Sequence, residues 1–224
     1  MSLARSTRRY LVDDGNASSI AARARARRWR DLSRRFPGLS EMSILDLGGR
    51  VSNWTAAPVL PARVVILNIE DQPESFDRFE VISGDACSPP DKVRSERFDL
   101  VYSNSVMEHV GGHYRRQQFA DTVQRSGSRH WVQTPYRYFP IEPHWIFPGM
   151  QFLPLFTRSA ISARWPLGWA HQLSDPPKGK AAHVTLTMEV ELLSKTEMQH
   201  YFPDSSIISE RFAGFAKSLI AVKS

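Results

Sequence analysis

Several short stretches of this 224-residue chain gather side chains able to do chemistry. "ILDLGGRVSNW" runs from Asp46 through Gly48 and Gly49 to Arg50, and "VVILNIED" ends in Asn68 and Glu70. "SGDA" contributes Asp85 and Ala86, while "VYSNSVMEHV" passes from apolar Val101 into Asn104, Ser105, Glu108 and His109. Farther on, Tyr136 and Tyr138 precede Glu142, His144 and Trp145, with Pro140 and Pro143 between them. Carboxylates and an amide can accept hydrogen bonds from ammonium, hydroxyl or amine groups. Imidazoles and carboxylates can move protons, so His109, Glu142 and His144 are the candidate general bases. A glycine turn at a strand end lets the backbone approach a ligand closely.

The same residues reject several chemistries. A dinucleotide fingerprint needs glycine at the first, third and sixth positions, and counting from Gly48 these are Gly48, Arg50 and Asn53. The chain has no lysine-bearing phosphate loop either, so neither a dinucleotide nor ordinary ATP binding is expected. His109, His113, Glu142 and His144 could ligate a metal, but their spacing matches no established site, and none is expected. Small polar residues and an imidazole placed where a buried strand leaves the core instead read as the rim of a cofactor site.

The elements that must position these groups are legible as apolar runs. Residues 43–47, 63–69, 79–84, 98–104 and 130–135 are short runs without polar alternation, as strands buried on both faces require. They predict a mostly parallel sheet covered by helices. Residues 106–127 suffice for a helical crossover, whereas 71–78 allow at most a short helix, so the sheet is expected to be regular at its centre and abbreviated at one edge. Ser194 and Glu197 have capping-box spacing at a helix start. Residues 207–212 and 218–222, with Gly214 between them, predict a closing antiparallel hairpin.

Composition bounds the rest. With 42% hydrophobic residues the chain can bury one substantial core, and a single α/β domain is expected over 1–224. Ten of the 29 basic residues are arginines within residues 1–40, against three acidic ones, so a basic helical arm precedes a nearly neutral remainder. Such an arm could touch nucleic acid or an anionic membrane, or simply be a solvated helix face. The lone Cys87 makes no internal disulfide, no apolar run follows the first positive residues, and "WIFPGMQFLPLF" is too short for a membrane span. A cytoplasmic location is expected.

"ILDLGG", "VVILNIED", "SGDA" and "FDLVYSNSVMEHV", in that order and at this spacing, resemble the motifs of class I S-adenosylmethionine-dependent methyltransferases over roughly residues 40–135. "QTPYRYFPIEPHWIFPGMQFLP" looks like a bacterial subset of that superfamily with a Pro-Ile-Glu-Pro-His segment after the fifth strand. The resemblance implies a Rossmann-like, mostly parallel seven-stranded sheet with helices on both faces and a C-terminal antiparallel hairpin. It implies a cofactor-binding core at 41–135, an acceptor-side insertion at 136–185, and a C-terminal helix and hairpin at 186–224. Residues 1–40 would then be an arm or lid.

The resemblance also implies roles. Asp46, Gly48 and Gly49 would hold the methionine part of S-adenosylmethionine; where the family often has another glycine stands Arg50, so either Gly49 serves instead or Arg50 turns outward. Asn68 and Glu70, expected on one side of an extended strand, would accept the ribose hydroxyls. Asp85 and Ala86 would meet the adenine edge, and Asn104 and Ser105 the methionine part or the transferring methyl, unless those two merely cap the next helix. Tyr136, Tyr138 and Trp145, with Phe139 and Phe147, would line an apolar acceptor pocket or be plain core. The expected activity is methylation, on oxygen, of a small-molecule, glycan or lipid-like acceptor. A nucleic-acid methyltransferase using the arginine arm is the less favoured alternative, because "SNSV" stands where an amino-methylating Asn/Asp-Pro-Pro motif would be. A non-enzymatic interaction protein on the same fold is the third.

Overall fold

A computed structural model of the chain describes residues 20–70 and 75–224. Arg5, Arg8 and Arg9 of the basic arm lie outside the described residues, as does part of the 71–78 connection. Contacts group into two compact units, each described by itself: Arg35–Phe139 with Glu191–Ser224, and the residues up to Arg34 with Pro140–Val190.

The first of these is the α/β core. Its strands are β1 (Ser43–Leu47), β2 (Arg63–Asn68), β3 (Phe79–Ser83), β4 (Leu100–Asn104) and β5 (His130–Pro135). The other unit contributes the two-residue strands β6 (Ile141–Glu142) and β7 (Phe147–Pro148), and the core closes with β8 (Ser206–Phe212) and β9 (Phe215–Lys223). The seven core strands form one sheet in the order β3-β2-β1-β4-β5-β9-β8. β1 pairs in parallel with β2 and β4, β2 with β3, and β4 with β5, while β9 runs antiparallel to β5 and β8. This is the expected Rossmann-like sheet with its C-terminal hairpin.

Burial explains the order. β5 is buried along its whole length, and all but one residue of β1, β2 and β4 is buried, so these strands sit in the middle with both faces covered. β3 and β8 bury little and lie at the edges. Ala213 and Gly214, at φ of 49° and 85°, make the tight turn between β8 and β9, where left-handed backbone matches the twist of the strands. The helix His113–Ser126 buries Phe119, Ala120 and Val123 in the same cluster as Leu45, Leu47, Val101 and Val132. The helix Lys195–Tyr201 starts on the expected capping box: the Ser194 hydroxyl accepts from the Glu197 amide at 3.2 Å, and the Glu197 carboxylate accepts from the Ser194 amide at 2.7 Å.

The chain runs β1, β2, β3 toward one edge and then returns to place β4 on the other side of β1. That reversal makes the carboxyl ends of β1 and β4 the topological switch point of the sheet, the place where open α/β sheets bind their ligands.

The second unit holds the helix Ile20–Arg35 as far as Arg34, with the helices Leu155–Arg164 and Gly179–Met188. β6 and β7 pair antiparallel in it, with Glu142 opposite Phe147. Among the described residues, no helix is long and apolar enough to cross a membrane.

Candidate functional site

Asp46 closes β1 one residue before its end and is 1% exposed. Its Oδ2 accepts from the indole N–H of Trp54 at 2.7 Å, while its buried Oδ1 has no hydrogen-bond partner among the described residues. Burial pushes this carboxyl up to about 7, and the Trp54 hydrogen bond offsets only part of that rise. Trp54 is itself fully buried, edge-on to Tyr102 of β4 at 5.3 Å, so the donor is locked in place. Sequence reading missed it; the signal was an indole eight residues beyond the aspartate, on the helix that the glycine turn launches.

The two glycines answer different demands. Gly48 adopts φ +76°, a left-handed backbone that other residues disfavour, and its amide crosses to the Leu67 carbonyl of β2 at 2.7 Å. A Cβ on Gly49 would lie 1.7 Å from Asp46 Oδ2, so the missing side chain is what leaves room for the carboxylate. Arg50 then turns outward, extended at φ −132°, and its guanidinium donates to the Glu70 carboxylate; both side chains are more than half exposed.

At the end of β2 the expectation that Asn68 and Glu70 share one side of an extended strand is not met. β2 stops at Asn68, whose Oδ1 accepts from the Glu70 amide at 2.9 Å and so turns the chain. The Asn68 amide group also donates to the carbonyls of Gly48 and Gly49 at 3.2 and 2.8 Å. Asn68 thus stitches the turn after β1 to the end of β2, and Glu70 points away toward Arg50.

Asp85 is held from three sides. It accepts from both Arg115 Nη atoms at 2.7 and 3.0 Å and from the Cys87 amide at 2.9 Å. Burial pushes its carboxyl up, but these donors outweigh it and hold the carboxyl below the ordinary range. Arg115 is anchored in turn by its Nε on the Val110 carbonyl at 3.0 Å. Ala86 next to it is buried in the core.

Asn104 ends β4, and Ser105 follows at φ +56°, its amide and hydroxyl both bonded to Gln133 at 3.0 Å. Neither caps the next helix, which begins at His113 behind Gly112. Ser103 adds a contact that the sequence did not suggest, its hydroxyl donating to the Leu47 carbonyl at 2.9 Å and fastening β4 to β1 at the switch point. His109 lies on the turn beyond β4, its amide bonded to the Val106 carbonyl at 2.8 Å.

The other unit holds Glu142 and His144. Glu142 is 2% exposed and accepts from His144 Nδ1 at 2.7 Å and from the Trp145 amide at 2.8 Å. One carboxylate therefore both closes the loop between β6 and β7 and orients an imidazole. Trp145 is buried, edge-on to Trp169 at 6.1 Å, with Gly168 packed against its ring. Tyr136 and Tyr138 belong to the core unit and meet edge to face at 5.5 Å, with Tyr138 exposed. Phe139 is buried, and Phe147 stands edge-on to Trp165 at 5.3 Å.

The structure thus gathers Asp46, Gly48, Gly49, Arg50, Asn68 and Glu70 at the ends of β1 and β2, where Asn68 bonds to Gly48, Gly49 and the Glu70 amide, Arg50 bonds to Glu70 and Asp46 bonds to Trp54, and it joins Glu142 to His144 in the other unit.

No protein-family model matches this sequence, and no curated protein does. Solved structures share its fold. N-methyltransferase NodS from Bradyrhizobium japonicum WM9, in complex with S-adenosyl-L-homocysteine, is similar at 12% identity over 98% of this chain and 96% of that one, with a TM-score of 0.54. The N-terminal domain of EvdMO1, in the presence of SAH and D-fucose, is similar at 15% identity over 99% and 96%, with a TM-score of 0.50. A possible exported protein from Bordetella parapertussis is similar at 13% identity over 90% and 67%, with a TM-score of 0.54. These likenesses establish the fold.

Proposed function

We propose that this chain is an S-adenosylmethionine-dependent methyltransferase that methylates an oxygen of a small-molecule, glycan or lipid-like acceptor. Asp46 carries the reading: a fully buried carboxylate at the strand ends with one oxygen unmatched. An unmatched buried carboxylate is costly until a cation stands beside it. The ammonium of the cofactor's methionine part is such a cation, and two solved proteins that share the fold were crystallised with the demethylated product.

The residues fit the group at that end: Asp46 would take the ammonium, and the Gly48–Gly49 turn the carboxylate. Asn68, committed to the turn, would shape the floor. Glu70 and Asp85 would reach the ribose and the adenine edge by exchanging partners with Arg50 and Arg115. For Glu70 the exchange is cheap, because exposed ion pairs are worth only about 0–1 kcal/mol. Asn104 and Ser105 would border the reacting methyl.

When bound, the cofactor supplies a methyl group on a positively charged sulfur. The chain's own part is to align the acceptor oxygen and exclude water. The proton that the acceptor hydroxyl loses passes to an imidazole. Within the core unit His109, on the turn beyond β4, is the candidate base, and Tyr136 and Tyr138 would border the acceptor. In the other unit Glu142 as a carboxylate accepts the His144 Nδ1–H and leaves Nε2 as a basic nitrogen, which makes Glu142 a positioning residue for that imidazole, and buried Trp145 supports the loop they share.

Titration calorimetry with S-adenosylmethionine and its demethylated product tests the reading. Micromolar binding to the wild-type chain and loss of at least a hundredfold in affinity in Asp46→Ala are expected; no heat from either compound with the wild type rejects it. The rival, a non-catalytic interaction protein, draws on Asp85 being claimed on both oxygens by Arg115. Labelled methyl transfer to any compound in a metabolite extract ends that rival.

A further inference from the structure

The two units differ in charge. Among the described residues, the unit built from the N-terminal helix and Pro140–Val190 carries ten basic and four acidic residues, whereas the core unit carries 16 and 15. The excess is ordered. On the helix Ile20–Arg35, Trp29 and Leu32 are buried at 6% and 0% exposure, while Arg23, Arg27, Arg30 and Arg34 are exposed. Steps of four, three and four residues put these arginines on one face of a helix with 3.6 residues per turn, a row roughly 16 Å long. Arg34 reaches Asp31 at 3.8 Å, an exposed pair that binds neither tightly.

The same unit also exposes apolar rings. Phe152 is 57% and Phe156 69% exposed, four residues apart. Phe152 is presented on a rigid turn, its amide bonded to the carbonyl of Gly149 at 3.0 Å, and the helix carrying Phe156 begins behind Pro154. The ammonium of Lys180 stands 5.1 Å from the centre of the Phe156 ring, so a cation flanks the more exposed of the two. Two exposed rings four residues apart, one of them beside a cation, are favourable at a charged interface between water and hydrocarbon.

From these two features we infer that this unit docks on the surface of an anionic lipid bilayer, with the arginine row facing the headgroups and Phe152 and Phe156 entering the acyl boundary. Neither suffices alone. The apolar face of the arginine helix is turned into the protein, so the helix offers charge without insertion, and stable attachment takes two signals. A single-stranded nucleic acid could stack bases on the two rings and is the competing occupant that the test has to exclude, whereas the flanking Leu153 and Leu155 offer a base no stacking platform and suit an acyl boundary. The inference goes beyond methyl transfer and stands apart from it, because the residues concerned are none of those assigned to cofactor or acceptor.

Co-sedimentation of the full chain with vesicles tests it, comparing phosphatidylcholine alone with phosphatidylcholine containing 30% phosphatidylserine. The mixed vesicles are expected to bind and the neutral ones not. Arg27→Gln with Arg30→Gln is expected to weaken binding by about thirtyfold, from roughly a factor of five or six per charge near the surface. Phe152→Ser with Phe156→Ser is expected to weaken it by at least tenfold, and a circular-dichroism melt unchanged from the wild type serves as the check on folding in both variants. Equal binding to neutral vesicles, no binding to either, or retention by the phenylalanine variant overturns the inference. So does a single-stranded RNA that binds at least as tightly as the mixed vesicles. Failure here leaves cofactor binding untouched, and failure of cofactor binding leaves the vesicle result readable.

Discussion

Asp46 and Asp85 are two aspartates of the core unit for which the sequence suggests the same kind of work, and the fold treats them in opposite ways. Asp46 is sealed in with one donor, an unmatched oxygen and a carboxyl raised to about 7. Asp85 lies nearer solvent with three donors and a carboxyl held below the ordinary range. The first stores an unmet electrostatic demand, and the second has had its demand met inside the protein. The difference teaches where ligand binding releases free energy: at Asp46 a cation relieves a penalty already built in, whereas at Asp85 a new partner must displace an old one.

The largest test breaks the contrast at Asp46. Its folded-state value lies above the ordinary 3.8, so below about pH 4 folded and unfolded chains both hold the proton and the group is neutral toward stability. Between pH 4 and 7 the unfolded chain ionises first, and stability falls as pH rises; above pH 7 the penalty is constant. The full penalty is at most about 4 kcal/mol, from the roughly three pH units separating the two values. Asp46→Asn is expected to remove that slope, to raise the ligand-free melting temperature at pH 8, and to lose at least a hundredfold in affinity for S-adenosylhomocysteine. Denaturant unfolding of both proteins at pH 4.5 and pH 8 measures it; parallel profiles would mean that Asp46 carries no unmet demand.

A smaller effect is expected at Arg115. Arg115→Gln removes the bidentate partner of Asp85, and because both side chains are more than one-third exposed the loss is screened to about 1 kcal/mol or less. The sign is opposite to that at Asp46. A depressed carboxyl stabilises above its unfolded value, and that contribution disappears as pH falls through the folded one. The variant is therefore expected to melt about 2–4 °C lower than the wild type at pH 7, with a smaller deficit at pH 3. Calorimetric scans at the two pH values decide it, and an equal deficit at both would assign the loss to packing instead.

The asymmetry between the two aspartates also marks how far the sequence could be read. Strand positions were legible because buried parallel strands must be uninterrupted apolar runs, and β1 and β5 fall on the predicted residues. The turn holding Asp46 was legible because two glycines after such a run leave few alternatives. Side-chain partners were not. Trp54 lies eight residues beyond Asp46, close enough to be noticed but without a pattern that says which way its indole turns, and Arg115 reaches Asp85 from 30 residues away, where no local pattern carries information. The bend at Glu70 was missed for a related reason: it depends on whether the Asn68 side chain turns back onto its own backbone, and an extended continuation fits the same residues.

The smallest expected effect is also the sharpest comparison, because it repeats the Arg115 substitution at an exposed pair. Arg50→Gln leaves Asn68 still bonded to both glycine carbonyls and Asp46 still bonded to Trp54, so the turn keeps its frame. Arg50 and Glu70 are both more than half exposed, and stability is expected to stay within about 0.5 kcal/mol of the wild type. What changes is competition. With the guanidinium gone, Glu70 no longer has to give up a partner to accept a ligand hydroxyl, so affinity for S-adenosylhomocysteine is expected to rise two- to fivefold, within the worth of about 1 kcal/mol of an exposed pair. A fall in affinity would instead make Arg50 itself a ligand contact, and the outward turn of its side chain would then be the resting state of a residue that swings back when the site fills.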